Sequence, residues 1–238
     1  MINKKGQITL FIIIAIIIVA SGVIGYFIYK QQIQKKTLFL ELEIADIKDY
    51  LQEMINYEVS GALILVGLQG GYTEPPAKYL PLRYHFVPYY YDKRKYIPTN
   101  EKINEEIKKE IIKRINKIKL NFTKLKINNS NPKVNVNHLI EVSLPVTIKK
   151  GDVSMKFTIK QTRTNPFNKM LNVSKEIVKN IKTNPKSINL ELLINLQQKY
   201  DVIISPLVYD ESTIIYRIAD NQTIIEKRPL EFYFAVKK

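Results

Sequence analysis

Residues 134–159, VNVNHLIEVSLPVTIKKGDVSMKFTI, decide what kind of fold this chain adopts. Val134, Val136, Ile140, Val142, Leu144, Val146 and Ile148 occupy even positions, and polar residues fill most odd ones. After Lys150-Gly151 the parity inverts, with Val153, Met155, Phe157 and Ile159 at odd positions. A period of two marks a strand with one face buried. Pairing Ile148 with Val153 places Val146 by Met155, Leu144 by Phe157 and Val142 by Ile159, all on one face, with Lys149 opposite Asp152 at the turn. By the same parity His138 joins the apolar face as a core histidine. A sheet with one greasy face needs a cover, and the flanking segments read as helices.

Downstream, Asn165-Pro166 opens a helix with the stripe Phe167, Met170, Leu171, Ser174, Ile177, Val178 and Ile181, closed by Asn184-Pro185. A short helix follows over 188–200, then strands over 202–209, 213–219 and 230–236. Upstream, Pro98-Thr99 opens an amphipathic helix, 101–125, striped by Ile103, Ile107, Ile111, Ile115 and Ile118, whose other face is rich in lysine. The fold class expected is therefore α+β, an antiparallel sheet of about five strands packed with helices.

Toward the amino end the pattern changes. No charge falls in the 24 positions between Lys5 and Lys30. A helix of that length reaches ~36 Å, against ~30 Å for a bilayer core. Tyr26 and Tyr29 stand where an interfacial aromatic belt belongs. A buried core helix rarely runs so long without charge, and a cleaved secretory signal has a shorter apolar region ending at a small-residue site. Lys4 and Lys5 before the run and Lys30, Lys35 and Lys36 after it leave orientation undecided by charge. From Thr37 to Val66 apolar residues recur at three- and four-residue steps, reading as a second, stalk-like helix, and Gly67, Gly70 and Gly71 form its terminating turn. The organisation expected is a leader-like segment 1–6, a transmembrane helix 7–30, a stalk and glycine turn 31–71, and an α+β domain 72–238.

The stretch Lys4-Lys5-Gly6-Gln7-Ile8-Thr9-Leu10-Phe11 resembles the class III signal of archaeal type IV pilin-like proteins. The resemblance implies cleavage between Gly6 and Gln7 on the cytoplasmic side. The helix then stays attached, and the domain is extracytoplasmic on a single-pass cell-membrane protein. Phe11 stands where pilins usually carry glutamate, so the likeness bears on cleavage and insertion more than on filament assembly. With the Gly67–Tyr72 motif, the chain also resembles single-span membrane proteins of small-genome archaea, a likeness that implies no activity. Sequons at Asn121, Asn128, Asn172 and Asn221 fit an external face.

Residues 72–98 hold seven of the fifteen tyrosines and five of the eleven prolines. That proline density predicts a long loop. Its tyrosines and cations, Tyr79, Arg83, Tyr84, Tyr89, Tyr90, Tyr91, Lys93 and Arg94, either cover the sheet or form a partner-binding surface. Nothing catalytic is legible. Cysteine is absent, the two histidines His85 and His138 lack metal-ligand spacing, and no nucleophile elbow or phosphate-binding glycine motif exists. No cofactor or metal is expected. Residues 31–238 carry 34 basic and 22 acidic side chains, but only six of the chain's bases are arginine, which argues against nucleic acid and for anionic envelope polymers or lipid. The expectation is a non-enzymatic surface-structural or interaction protein, with the lipid bilayer and other membrane or surface proteins as partners. The alternative is a tethered binding module for acidic glycans or nucleic acid.

Overall fold

The computed structural model describes residues 4–118, 126–129, 131–150, 153–183 and 188–237, and only the backbone of 4–16, 33–44, 126, 129, 150 and 153. The Asn121 sequon, the Gly151-Asp152 turn, the Asn184-Pro185 stop and the side chain of Gln7 lie outside the described residues. Helix α1 is continuous from Lys4 to Leu68. Among the described residues no helix is long and apolar enough to cross a membrane. The uncharged run enters the fully described part only at Ile17. From there its apolar side chains stand open to the surroundings on every side, Ile17, Ile18 and Val19 consecutively, then Val23, Ile24, Phe27 and Ile28.

Further along, the same helix becomes core. Ile47, Leu51, Ile55, Val59, Leu63 and Val66 are buried, as their spacing dictates. The span 47–66 thus packs into the domain's core as its central rod. Gly70 and Gly71 take left-handed conformations (φ 54° and 85°). The Gly71 N–H closes the helix on the Val66 carbonyl at 2.8 Å.

Among the described residues two sheets flank this rod, where one was expected. The larger has the order β1(Tyr79–Pro81), β2(Phe86–Asp92), β10(Arg228–Lys237), β9(Thr213–Ile225), β8(Val202–Val208), with β3(Arg94–Lys95) also on β2. It is mixed and not antiparallel, because β10 runs parallel to β2. The proline-rich segment 72–98 therefore contains three strands instead of forming one long loop. Aromatic strand propensity outweighs the ladder bond forfeited at Pro88.

The smaller sheet centres on β6(Leu139–Lys150), with β4(Lys126–Asn129) and β5(Lys133–Val136) on one edge and β7(Val153–Thr164) on the other. The segment 134–148 is two strands, folded back at residues 137–138. That fold places His138 exposed in the turn and not in the core. The β6–β7 hairpin forms two residues out of the expected register. Ile148 faces Met155, Val146 faces Phe157 and Leu144 faces Ile159. A slip of two leaves every side chain on its face, so the apolar side stays buried.

Helix α2(Asn100–Asn116) starts at Thr99, whose hydroxyl accepts the Lys102 N–H at 3.2 Å. It ends nine residues short of the expected Leu125. Helix α3(Phe167–Thr183) starts beside Asn165, whose side chain accepts from the Phe167 N–H, and α4(Leu190–Tyr200) is capped by Asn189. The inner face of the large sheet carries a ring stack of Tyr90, Phe234 and Tyr216, with centroids 4.8 and 5.3 Å apart. Phe232 and Phe167 extend it onto α3.

Strand β7 climbs beside α1 in the same direction. The Lys48 ammonium lies 5.1 Å from the Phe157 ring centre, Gln52 donates to Gln161 at 2.7 Å, and Arg163 donates to Asn56 at 2.9 Å and Ser60 at 3.0 Å. Four helix positions in ascending order meet three ascending strand positions, which fixes the hairpin's orientation on the rod.

Candidate functional site

The expected aromatic and basic surface is divided by β2. At one end, in the β1–β2 turn, Arg83 lays its guanidinium 5.1 Å from the ring centre of Tyr84, which is 83% exposed. Tyr79 stands nearby, edge-on to Phe86 at 5.8 Å. At the other end Lys93 holds a positive φ of 61°, and Arg94 packs 5.2 Å over Tyr96 while its Nε donates to the phenolic oxygen at 2.7 Å. The seven residues of β2, ~20 Å end to end, separate the clusters. Lys78 and Asp92 tie the strand flanks together at 3.4 Å.

The three consecutive tyrosines do not act together either. Tyr90 is fully buried and its hydroxyl donates to the Gly70 carbonyl at 2.9 Å. Burial pushes its phenol well above the ordinary value. Tyr89 and Tyr91 are half-buried, and Tyr91 packs against the same core as Tyr90. Tyr89 joins a small second cluster with Leu80, Val87, Ile215 and Ala235 on the outer face of the large sheet. Of the eight residues expected at this surface, Tyr79, Arg83, Tyr84, Lys93 and Arg94 are the exposed ones. The glycine turn is a close-packing device: a side chain on Gly67 or Gly70 would strike the backbone oxygens of Glu231 and Tyr233.

Polar groups the sequence did not single out are better organised. On the outer face of the large sheet, Arg217 donates through Nε to Glu231 at 2.8 Å, and the Tyr233 hydroxyl donates to the other carboxylate oxygen at 2.7 Å. Burial works against the Glu231 charge, but the Arg217 and Tyr233 hydrogen bonds prevail and hold its pKa below the ordinary value. Burial and then Glu231 push Tyr233 up to about 12. Asp220, 2% exposed, receives Lys169 at 2.6 Å, Thr223 at 2.6 Å and the Gln222 N–H at 3.2 Å. This carboxylate folds the bulge by which β9 carries extra residues between the partners of Leu230 and Pro229.

A cleft of about 400 Å³ opens between α1 and the β9–β10 turn, lined by Glu53, Asn56, Tyr57, Ser60, Arg163 and Ile224–Glu226. Burial lowers the Arg163 pKa, and the acceptors that hold it, Asn56 and Ser60, are neutral. Parity could have revealed Arg163, since odd positions on β7 face the core. A second cleft of about 460 Å³ adjoins along the rod, lined by Ile64, Leu68, Ile225, Arg228, Pro229 and Glu231. Among the described residues no three metal-ligating side chains converge. No family model, curated protein or solved structure matches this chain.

Proposed function

We propose that this is a single-pass membrane protein whose α+β domain, held outside the cell, acts as a surface-structural or interaction component, pilin-like in its leader and non-enzymatic. One observation carries the reading. The helix whose apolar side chains from Ile17 to Ile28 are uncovered all round is the same helix that is buried in the domain from Ile47 to Val66. A helix apolar on every side needs hydrocarbon or protein around it, and among the described residues no other element covers this stretch. Cleavage between Gly6 and Gln7 would leave the anchor intact. The test is flotation of the full chain with membranes after alkaline washing, together with protease shaving of intact cells. Membrane retention and digestion of the domain without lysis support the proposal. A domain protected until lysis overturns its placement.

The exposed Arg83–Tyr84 pair favours a second reading, a tethered module for acidic glycans, since a ring with an adjoining cation stacks and charges at once. Binding of an acidic polysaccharide by the detergent-solubilised chain would then weaken with salt and fall at least tenfold in Arg83→Ala/Tyr84→Ala. Unchanged binding dismisses it.

A further inference from the structure

We propose that the cleft between α1 and the β9–β10 turn binds a small zwitterion, an α-amino acid with an apolar side chain. Arg163 holds its carboxylate, and Glu53 and Glu226 hold its ammonium. Among the described residues four lysines and arginines are half-buried, and three of them have a carboxylate partner. Arg114 donates to Glu110 at 2.8 Å, Lys169 to Asp220 at 2.6 Å and Arg217 to Glu231 at 2.8 Å. Arg163 is the exception. It reaches only the neutral oxygens of Ser60 at 3.0 Å and Asn56 at 2.9 Å. A guanidinium carries five N–H donors, so three are left without a partner among the described residues. Gln52 donates to Gln161 at 2.7 Å and Gln161 to Asn56 at 3.4 Å, which turns the Asn56 carbonyl oxygen toward Arg163 and fixes the guanidinium before any ligand arrives. Burial works against the arginine's charge. A carboxylate from outside supplies the missing counter-charge and uses the spare donors, in the forked geometry that a guanidinium favours.

The two acids define the rest of the ligand. Glu53 lies one turn before Asn56 on α1, Glu226 stands on the facing turn, and both are exposed. Neither has an ion-pair partner among the described residues. A bare anion would be repelled by these carboxylates and a bare cation by Arg163, whereas a molecule with both charges on neighbouring atoms satisfies all three. Glu226 reaches the cleft at a conformational cost. With Lys227 it makes the two-residue connection between Ile225 and Arg228, at φ 50° and 65°. Such a turn requires left-handed backbone at both positions, which Asn and Gly accept far more readily than Glu and Lys. Strain of this kind gathers at ligand sites. The volume of about 400 Å³ falls within the range of small-molecule sites, about 300–1,000 Å³. Tyr57 and Ile224 present exposed apolar surface, and the adjoining cleft, which shares Ile225 and Glu226, leads on to Ile64 and Leu68. That wall is where the ligand's apolar side chain lies.

Isothermal titration of the full detergent-solubilised chain with three probes of one carbon skeleton tests this: leucine, leucinamide, which lacks the carboxylate, and 4-methylpentanoate, which lacks the ammonium. Leucine should bind at least tenfold more tightly than either. Arg163→Gln should weaken leucine binding at least tenfold. Glu53→Gln/Glu226→Gln, with both changes on the surface, should weaken leucine at least tenfold and strengthen 4-methylpentanoate, reversing the preference of the parent. That reversal needs no folded Arg163 variant. Inorganic phosphate bound as tightly as leucine overturns the proposal in favour of a plain anion site. Equal leucine affinity in the parent and Arg163→Gln, or no leucine binding up to about 10 mM, also overturns it. None of these results bears on the membrane anchor, which the site does not require.

Discussion

Replacing Gly67 by alanine sets two physical effects against each other with opposite signs. Gly67 lies in the last turn of α1, in helical conformation, where alanine is intrinsically better by about 1 kcal/mol. The added methyl, however, would point into the backbone carbonyl of Glu231 on β10, with Phe167 Cε1 at 3.6 Å behind. A backbone oxygen in the middle of a sheet cannot rotate away, so α1 or β10 must shift by about an ångström, and overpacking of this kind costs about 1–3 kcal/mol. Taking the upper part of that range, because the obstacle is backbone, the net loss is roughly 1–2 kcal/mol, or a fall in Tm of about 2–8 °C. Gly61→Ala is the internal control. There the methyl would approach only the guanidinium end of Arg114, at 2.6 Å, which can swing aside at the expense of a 3.7 Å contact with Glu58. That variant should be neutral or gain up to about 1 kcal/mol. Urea unfolding of the full chain in detergent, followed by far-ultraviolet circular dichroism, measures both. Equal or greater stability in Gly67→Ala than in the parent would refute the close approach of α1 to β10.

Other perturbations probe other contacts by the same measurement. Tyr90→Phe removes the donor to the buried Gly70 carbonyl and should cost about 1–3 kcal/mol, whereas Tyr84→Ala, on the surface, should stay within about 0.5 kcal/mol. Lys169→Met leaves the buried Asp220 carboxylate without its counter-charge and should cost roughly 3 kcal/mol. Glu106 and Glu231 both lie below the ordinary value of 4.5: burial opposes the shift, and hydrogen bonds from Lys102 and Thr73, or from Arg217 and Tyr233, outweigh it. Depressed carboxylates stabilise the fold above their unfolded pKa and cease to do so as pH falls through the folded one. The urea midpoint should therefore hold between pH 7 and 5 and drop below about pH 4.5, less steeply in Thr73→Val.

Local periodicity carried most of the secondary structure. The stripes of α1, α2 and α3, the parity of β6 and β7, and the alternation of Leu230, Phe232, Phe234 and Val236 on β10 were all readable from residue order, and burial follows them. Parity cannot distinguish registers two residues apart, which is why the Ile148 partner was misplaced, and it passes silently through a turn of two residues, which is why 134–148 read as one strand. The parallel pairing of β2 with β10 joins segments almost 150 residues apart, and no local pattern encodes it. Within the candidate site, Arg83 and Tyr84 were legible as surface because a turn presents them. The burial of Tyr90 was not, since the side of Tyr89-Tyr90-Tyr91 that faces inward depends on the strand laid beside it. The Arg163 contacts arise only when β7 meets α1, and the Glu231 network only when β9 meets β10.

The strand that knits the large sheet together, β10, lies between β2 and β9 and also packs against the rod. It leaves the ribosome more than 160 residues after Val66, a delay of roughly 8–30 s at ordinary elongation speeds. Throughout that interval α2 and then β7 can settle on other flanks of the rod, but the flank that β10 covers has nothing to rest on. Premature termination anywhere before Arg228 then yields a product with no path to the native state, marked for proteolysis however much of its length has been made.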